Sequence, residues 1–208
     1  MLTFAAAMIG SYLLGSIPFG YIAGRVAGID IRNCGSGNVG ATNVTRTLGK
    51  RYGYPVFTAD FLKGFGAVKM SVLIATRTRP DWISPEMFGI IAAISSVVGH
   101  CFPIWLRFKG GKGVATSAGA LFGLAPVAAL AGVAIWILIF LLTRYVSVAS
   151  IAAAAALPVI ILITTWLSQS PGKLLFYSSV CLAAVVIWRH RSNLSRLARG
   201  TEPHFTRK

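Results

Sequence analysis

Six apolar stretches run through this chain, at about 2–24, 54–76, 87–106, 114–142, 147–167 and 173–188, with short polar segments between them. A membrane-spanning helix needs roughly 20 mostly apolar residues. The pattern therefore predicts an all-α, polytopic membrane protein with five to seven spans and little else, a single domain over residues 1–208. The 114–142 stretch is long enough to be one tilted helix, or two helices broken near Gly123-Leu124-Ala125-Pro126.

Charge chooses between these. Lys and Arg number four in 30–53, three in 107–113, one in 143–147 and six in 189–208, against two in loop 77–86 and one in loop 168–173. Splitting the stretch places fourteen of these cations on one side and three on the other. Leaving it whole moves the six-cation tail outside and removes the bias. Cations concentrate in cytoplasmic loops. The expectation is thus seven spans, N-terminus out and C-terminus in, in a cell (inner) membrane. Met1-Leu2-Thr3-Phe4 lacks a charged n-region and reads as a retained first span.

Composition agrees. The 208 residues are 55% hydrophobic and only 12% charged, with a net charge of +15. Mean hydropathy is +0.71. In a soluble chain such charge suggests nucleic acid; here the inside-positive bias accounts for it, and no nucleic-acid partner is expected. Cys34, Cys101 and Cys181 form neither a CxxC pair nor a disulfide framework. Gly20, Gly24 and Gly28 recur every four residues, as do Ala115, Gly119 and Gly123, which predicts tight helix packing.

Charge bias does not explain why the cations cluster around glycines. Gly35-Ser36-Gly37-Asn38-Val39-Gly40 matches G-x-G-x-x-G, with Asp60 twenty residues on. A dinucleotide fold requires a βαβ unit around that motif, and membrane spans flank it here. The better reading is an anion nest running into a short helix from Asn38 to Leu48, ended by Gly49. Asn38, Thr42 and Arg46 (i, i+4, i+8), with Asn43, would form its polar face; a plain solvated surface helix is the competing reading.

Arg107-Phe108-Lys109-Gly110-Gly111-Lys112-Gly113-Val114-Ala115-Thr116 is not a Walker A loop, since Leu106 and Gly113 stand where Gly and Ser/Thr belong. What remains is a glycine loop feeding a helix N-terminus, where N–H groups and the helix dipole favour anions and Lys112 adds charge. A tight turn with charge-rule lysines is the plainer alternative. Ser147 follows a third loop and could N-cap the next helix or donate to a phosphate. His190 and Asn193 (i, i+3) close the last span among several arginines. They are interfacial residues or substrate-facing ones. His100 lies at the inner end of the third span. Asp60 and Lys63 (i, i+3) form a candidate ion pair, structural or functional; Lys69 has no evident partner.

Several chemistries are disfavoured. No acid lies in either glycine loop and no acidic pair is spaced for a metal, so no metal or cofactor is expected. No GxSxG occurs. The His-x-x-x-x-Asp of thioester acyltransferases is missing: Trp105 follows His100 by five, and Ser195 follows His190 by five. A CDP-alcohol phosphotransferase would need an aspartate cluster.

Taken together, Gly15-Ser16-Ile17-Pro18-Phe19-Gly20, Gly35-Ser36-Gly37-Asn38 through Asn43 and Arg46, Asp60-Phe61-Leu62-Lys63-Gly64, Gly99-His100, Phe108 to Thr116, and His190/Asn193 resemble the bacterial acyl-phosphate:glycerol-3-phosphate acyltransferases over essentially the whole chain. The resemblance implies acyl transfer from acyl phosphate to the 1-hydroxyl of glycerol 3-phosphate on the cytoplasmic face, giving lysophosphatidic acid. It implies that Ser36, Arg46, Lys112, Ser147, His190 and Asn193 line the site, with Glu202 more structural than chemical. Gly37, Asn38, Thr42, Asn43, Lys109, Gly110, Gly111, Gly113 and Thr116 are the accompanying phosphate-binding candidates; His100, Asp60 and Lys63 are candidate supports. Glycerol 3-phosphate, acyl phosphate and membrane lipid are the expected partners, and a monomer the expected state.

The residues agree with that chemistry. An acyl phosphate is already activated, so positioning and fixed charge can do most of the work, with effective molarity worth about 7–11 kcal/mol. His190 is the best protein base by type, but no acid beside the loops orients it, which favours a substrate phosphate oxygen as proton acceptor. A phosphate or phosphoester transporter is the alternative. It would place polar residues at the midplane of a repeated fold, whereas here they gather at one face.

Overall fold

A computed structural model describes residues 1–167 and 172–205. Residues 168–171 of the expected 168–173 loop, and the tail cations Arg207 and Lys208, lie outside the described residues. The described chain is helical and has no strand. It divides into two compact units, Met1–Leu124 and Ala125–Lys208.

The first unit holds α1 (Leu2–Ser16), α2 (Phe19–Val26), α3 (Ala41–Leu48), α4 (Lys50–Thr78), α5 (Pro85–Cys101) and α6 (Val114–Leu124). The first apolar stretch is bent rather than continuous. Pro18 has no N–H to give a helix and pushes Ile17 out of the helical region, to φ −59°, ψ 116°. Ser84 caps α5 by accepting the Met87 N–H at 3.2 Å, with Pro85 in the first turn.

Small residues bring helices together where expected on α6, whose Gly119 packs against the Phe61 carbonyl of α4 and whose Gly123 packs against Val68. Gly15 and Gly99 do the same between α1 and α5, against Ser96 and Tyr12 backbone. The Gly20/Gly24/Gly28 series is different. Gly20 and Gly24 abut Val39 and Ile31 of the following loop, and Gly28 sits in a turn with φ +78° and open space around it. Those glycines seat a loop, not a second helix, because the chain turns back over α2 immediately after it.

The second unit holds α7 (Pro126–Thr143), α8 (Val146–Leu167), α9 (Lys173–Arg189) and α10 (Arg191–Ala198). α7 packs on α8 and α8 on α9. Large apolar side chains such as Leu138, Leu142, Leu162 and Ile163 point outward, as lipid-facing residues do.

The long stretch breaks where the charge count placed the break, between Leu124 and Pro126. Among the described residues, four helical segments are long and apolar enough to cross a bilayer: Leu2–Val26, Pro85–Leu106, Pro126–Thr143 and Val146–Leu167. α9 and α10, bent by 52°, make a fifth if taken as one. α4 is long enough but carries Lys50, Arg51, Asp60, Lys63, Lys69 and Arg77. α6 has only 11 residues, about 16 Å of helix.

Candidate active site

In the first unit the chain between α2 and α3 is a tied loop. Asp30 accepts the Arg32 N–H at 3.0 Å and pairs with its guanidinium at 2.6 Å. The Arg32 bond holds the Asp30 carboxyl down, at about 2. Arg32 also lies over the Tyr21 ring at 4.8 Å, so its charge is committed to shaping the loop.

Gly35 and Gly37 have φ of +57° and +69°, which only glycine adopts without strain. A side chain at 35 would also strike the Asn43 amide. That amide organises the turn. Asn43 accepts the Ser36 N–H at 2.9 Å and donates to the carbonyls of Asn38 and Cys34 at 2.9 and 3.0 Å. It is 3% exposed.

The sequence-based helix is therefore corrected at its start and its face. α3 begins at Ala41, because Asn38 folds its side chain onto the Gly40 N–H at 2.8 Å instead of joining the helix. Asn43 points inward to the loop backbone, not outward with Thr42 and Arg46. Gly49, at φ +84°, ends the helix as expected. Ser36, Gly37 and Arg46 are exposed, while Thr42 is half-buried.

The second loop hangs from the end of α5. Gly110 donates its N–H to the Cys101 carbonyl at 3.1 Å, and Gly111 donates to the His100 carbonyl at 3.0 Å. This revises the expectation that these two amides are offered to an anion: both serve to close the loop against the helix. The glycines are needed because a side chain at 110 would strike Pro103, and one at 111 the His100 ring. Lys112, half-buried, and Gly113, at φ +83°, then lead into α6. Its first turn has N–H groups with no partner inside the helix, as every helix start does. Thr116 is fully buried in that turn and Lys109 is exposed.

These two loops are held together. Val39 and Val44 of the first and Leu106, just before the second, share one buried apolar cluster with Ile31 and Val56. Behind it Asp60 and Lys63 form the expected ion pair at 2.8 Å, with His100 Nδ1 at 3.4 Å from the same carboxylate. These three side chains, with Ser16 to Gly20, Val39 and Pro103, line a small pocket with room for about one water molecule. Lys69 has its expected gap filled by the Phe65 ring, 5.7 Å away.

The second unit builds its own cluster. Ser147 lies inside the first turn of α8 and donates its hydroxyl to Glu202 Oε1 at 2.8 Å; the N-cap reading is corrected accordingly. Asn193 Nδ2 donates to the same oxygen at 2.6 Å, and Arg196 Nε to Oε2 at 2.8 Å. Burial pushes the Glu202 carboxyl up, but the bonds from Asn193, Ser147 and Arg196 outweigh it and hold the group below the usual carboxylate range. This convergence was invisible in sequence, where 55 residues separate Ser147 from Glu202.

His190 stands at the joint of α9 and α10, 3% exposed, with Nδ1 2.8 Å from the Val186 carbonyl. A carbonyl only accepts, so Nδ1 is the donor in this contact. The backbone carbonyl of Val186 thus helps to orient the ring. Among the described residues, no group of three or more His, Cys, Asp or Glu is placed to hold a metal ion.

The described chain is thus a multi-pass helical membrane protein with two glycine loops seated on one apolar cluster. The comparisons fix the family. Residues 5–200 match the glycerol-3-phosphate acyltransferase family. The glycerol-3-phosphate acyltransferase of Geotalea daltonii is 45% identical over 96% of this chain and 96% of its own. That of Aquifex aeolicus is 44% identical over 95% and 97%. Among solved structures, the glycerol 3-phosphate form of PlsY (YgiH), an integral membrane glycerol 3-phosphate acyltransferase, superposes with a TM-score of 0.84 at 41% identity, covering 98% of this chain and 96% of that one. The lysophosphatidic acid form of PlsY superposes at 0.81 with 40% identity. The chain belongs to the glycerol-3-phosphate acyltransferase family and is an integral membrane acyltransferase of phospholipid biosynthesis.

Proposed function

We propose that the acyl donor is an acyl phosphate and that the product is 1-acylglycerol 3-phosphate. One observation carries this reading most strongly: two glycine-built, cation-bearing loops share a single buried apolar cluster, which suits a reaction in which both substrates carry a phosphate. Solved structures of PlsY contain glycerol 3-phosphate and lysophosphatidic acid, which supports the same acceptor and product here.

In the reaction, O1 of glycerol 3-phosphate forms a bond to the acyl carbon. The bond from that carbon to the phosphate oxygen breaks, and inorganic phosphate leaves. The hydroxyl proton passes to a phosphate oxygen of the substrates, the route we favour over His190. Ser36, Arg46, Lys112 and the first turn of α6 hold phosphate oxygens and offset the developing charge. Asn43 and the Gly110–Gly111 pair hold the loops that present them. In the second unit, Glu202 holds the Ser147 hydroxyl and the Asn193 amide in place. We place the chain in the inner membrane as a monomer with seven crossings, N-terminus out, and the reaction on the cytoplasmic face.

Lys112→Ala tests the loop assignment: turnover is abolished while the protein still folds, and wild-type turnover would refute it. A reporter fused after Lys208 tests the topology; a periplasmic signal would overturn it.

A further inference from the structure

The charged cluster behind the second loop has a task the acyl-transfer scheme leaves open. Asp60 and Lys63, on α4, are 2% and 4% exposed, and buried ionisable groups in an apolar chain are costly. Lys63 Nζ donates to the Ile17 carbonyl at 2.9 Å. That carbonyl ends α1 where Pro18 stops the helix, so the ammonium completes a helix C-terminus. The Asp60 Oδ1 that pairs with Lys63 at 2.8 Å also lies 3.4 Å from His100 Nδ1.

The opposite edge of the same imidazole lies against the glycine loop. A Cβ at position 111 would run into His100 Nε2, and one at 110 into the His100 carbonyl. His100 therefore supports the loop twice, by its carbonyl bond to the Gly111 N–H at 3.0 Å and by the Nε2 edge of its ring. Asp60 lies beside that ring at 3.4 Å, and Lys63 ties Asp60 to the end of α1.

We propose that Asp60, acting through His100, is a positioning residue: it sets the height of Gly110–Gly113 and so the place of Lys112 and the first turn of α6. Touching no substrate itself, it acts by keeping the imidazole from rotating into or away from Gly111. The inference rests on the assignment of this loop to a substrate phosphate.

The test uses the purified full-length protein in lipid, with glycerol 3-phosphate and acyl phosphate each varied in turn. Asp60→Asn keeps the shape and removes the charge that holds His100. It is expected to lower kcat/KM by about 10²-fold, the scale of an ångström of misplacement. His100→Asn keeps a nitrogen towards Asp60 but loses the edge that supports Gly111, and it costs at least as much as Asp60→Asn. Gly111→Ala pushes a methyl into the ring and lowers kcat/KM; combining it with His100→Ala makes room and recovers about tenfold of that loss.

A purely structural role predicts lowered thermal midpoints with unchanged kcat and KM per folded molecule, and that result overturns the proposal. So does a double variant no more active than Gly111→Ala alone. The double variant decides the matter if Asp60→Asn fails to fold. Lys112→Ala, run beside them, separates the two readings. If it is silent, the loop assignment fails; if it abolishes turnover while Asp60→Asn and Gly111→Ala are silent, only the positioning role fails.

Discussion

Replacing Glu202 probes the second unit most sharply. Its carboxylate accepts from Ser147 Oγ at 2.8 Å, Asn193 Nδ2 at 2.6 Å and Arg196 Nε at 2.8 Å. Hydrogen bonds to a charged group are worth about 1.5–3 kcal/mol each. The Arg196 side chain is 26% exposed, so its pairing adds at most about 1 kcal/mol. Glu202→Ala strands two buried donors and should cost about 3–6 kcal/mol. Glu202→Gln keeps one accepting oxygen but turns an NH₂ towards Arg196, and should cost roughly 1–3 kcal/mol.

At about 2–4 °C per kcal/mol for a chain this size, the Gln variant loses roughly 2–12 °C of thermal midpoint and the Ala variant more. The assay is thermal unfolding of the purified protein with kcat and KM measured well below the midpoint. Ser147→Ala combined with Glu202→Ala should be less than additive by about 0.5–3 kcal/mol. The pH dependence has a defined sign. The folded carboxyl is held below its unfolded value, so its stabilisation is complete above the unfolded pKa and is lost as pH falls through the folded one. An Ala variant with wild-type midpoint, kinetics and acid profile would refute the network.

Other consequences follow from the loops. Asn43→Ala removes the bonds to Ser36, Asn38 and Cys34 and should cost about 2–4 kcal/mol, with KM for one of the two phosphate substrates rising; an unchanged KM for both would contradict its role in the turn. His190→Gln should keep more than about a tenth of kcat, whereas a fall of 10²–10⁴-fold would show that the histidine is the base. Gly119→Val should prevent α6 from seating on α4, because its Cβ would enter the Phe61 carbonyl; normal yield of folded enzyme would argue against that packing.

The sequence carried the membrane class, the break after Leu124 and the Asp60–Lys63 pair, because span length, charge asymmetry and i, i+3 spacing are local signals. It misled where one residue type serves two ends. Glycines at 110 and 111 suit an amide aimed at a phosphate or one bonded to a neighbouring carbonyl, and only the fold shows that α5 takes both. Gly20 and Gly24 have helix-packing spacing, but their neighbour is a loop. Asn38 reads as helical until its side chain is seen on the Gly40 N–H. The links from His100 to Asp60 and from Ser147 to Glu202 span tens of residues, beyond any local pattern.

The central claim is that acyl phosphate, bound by the glycine loops, gives its acyl group to glycerol 3-phosphate. The direct measurement is incubation of the purified protein with labelled glycerol 3-phosphate and either acyl phosphate or acyl-CoA. The account predicts labelled 1-acylglycerol 3-phosphate and an equal amount of inorganic phosphate from acyl phosphate alone. Product from acyl-CoA and none from acyl phosphate would contradict it.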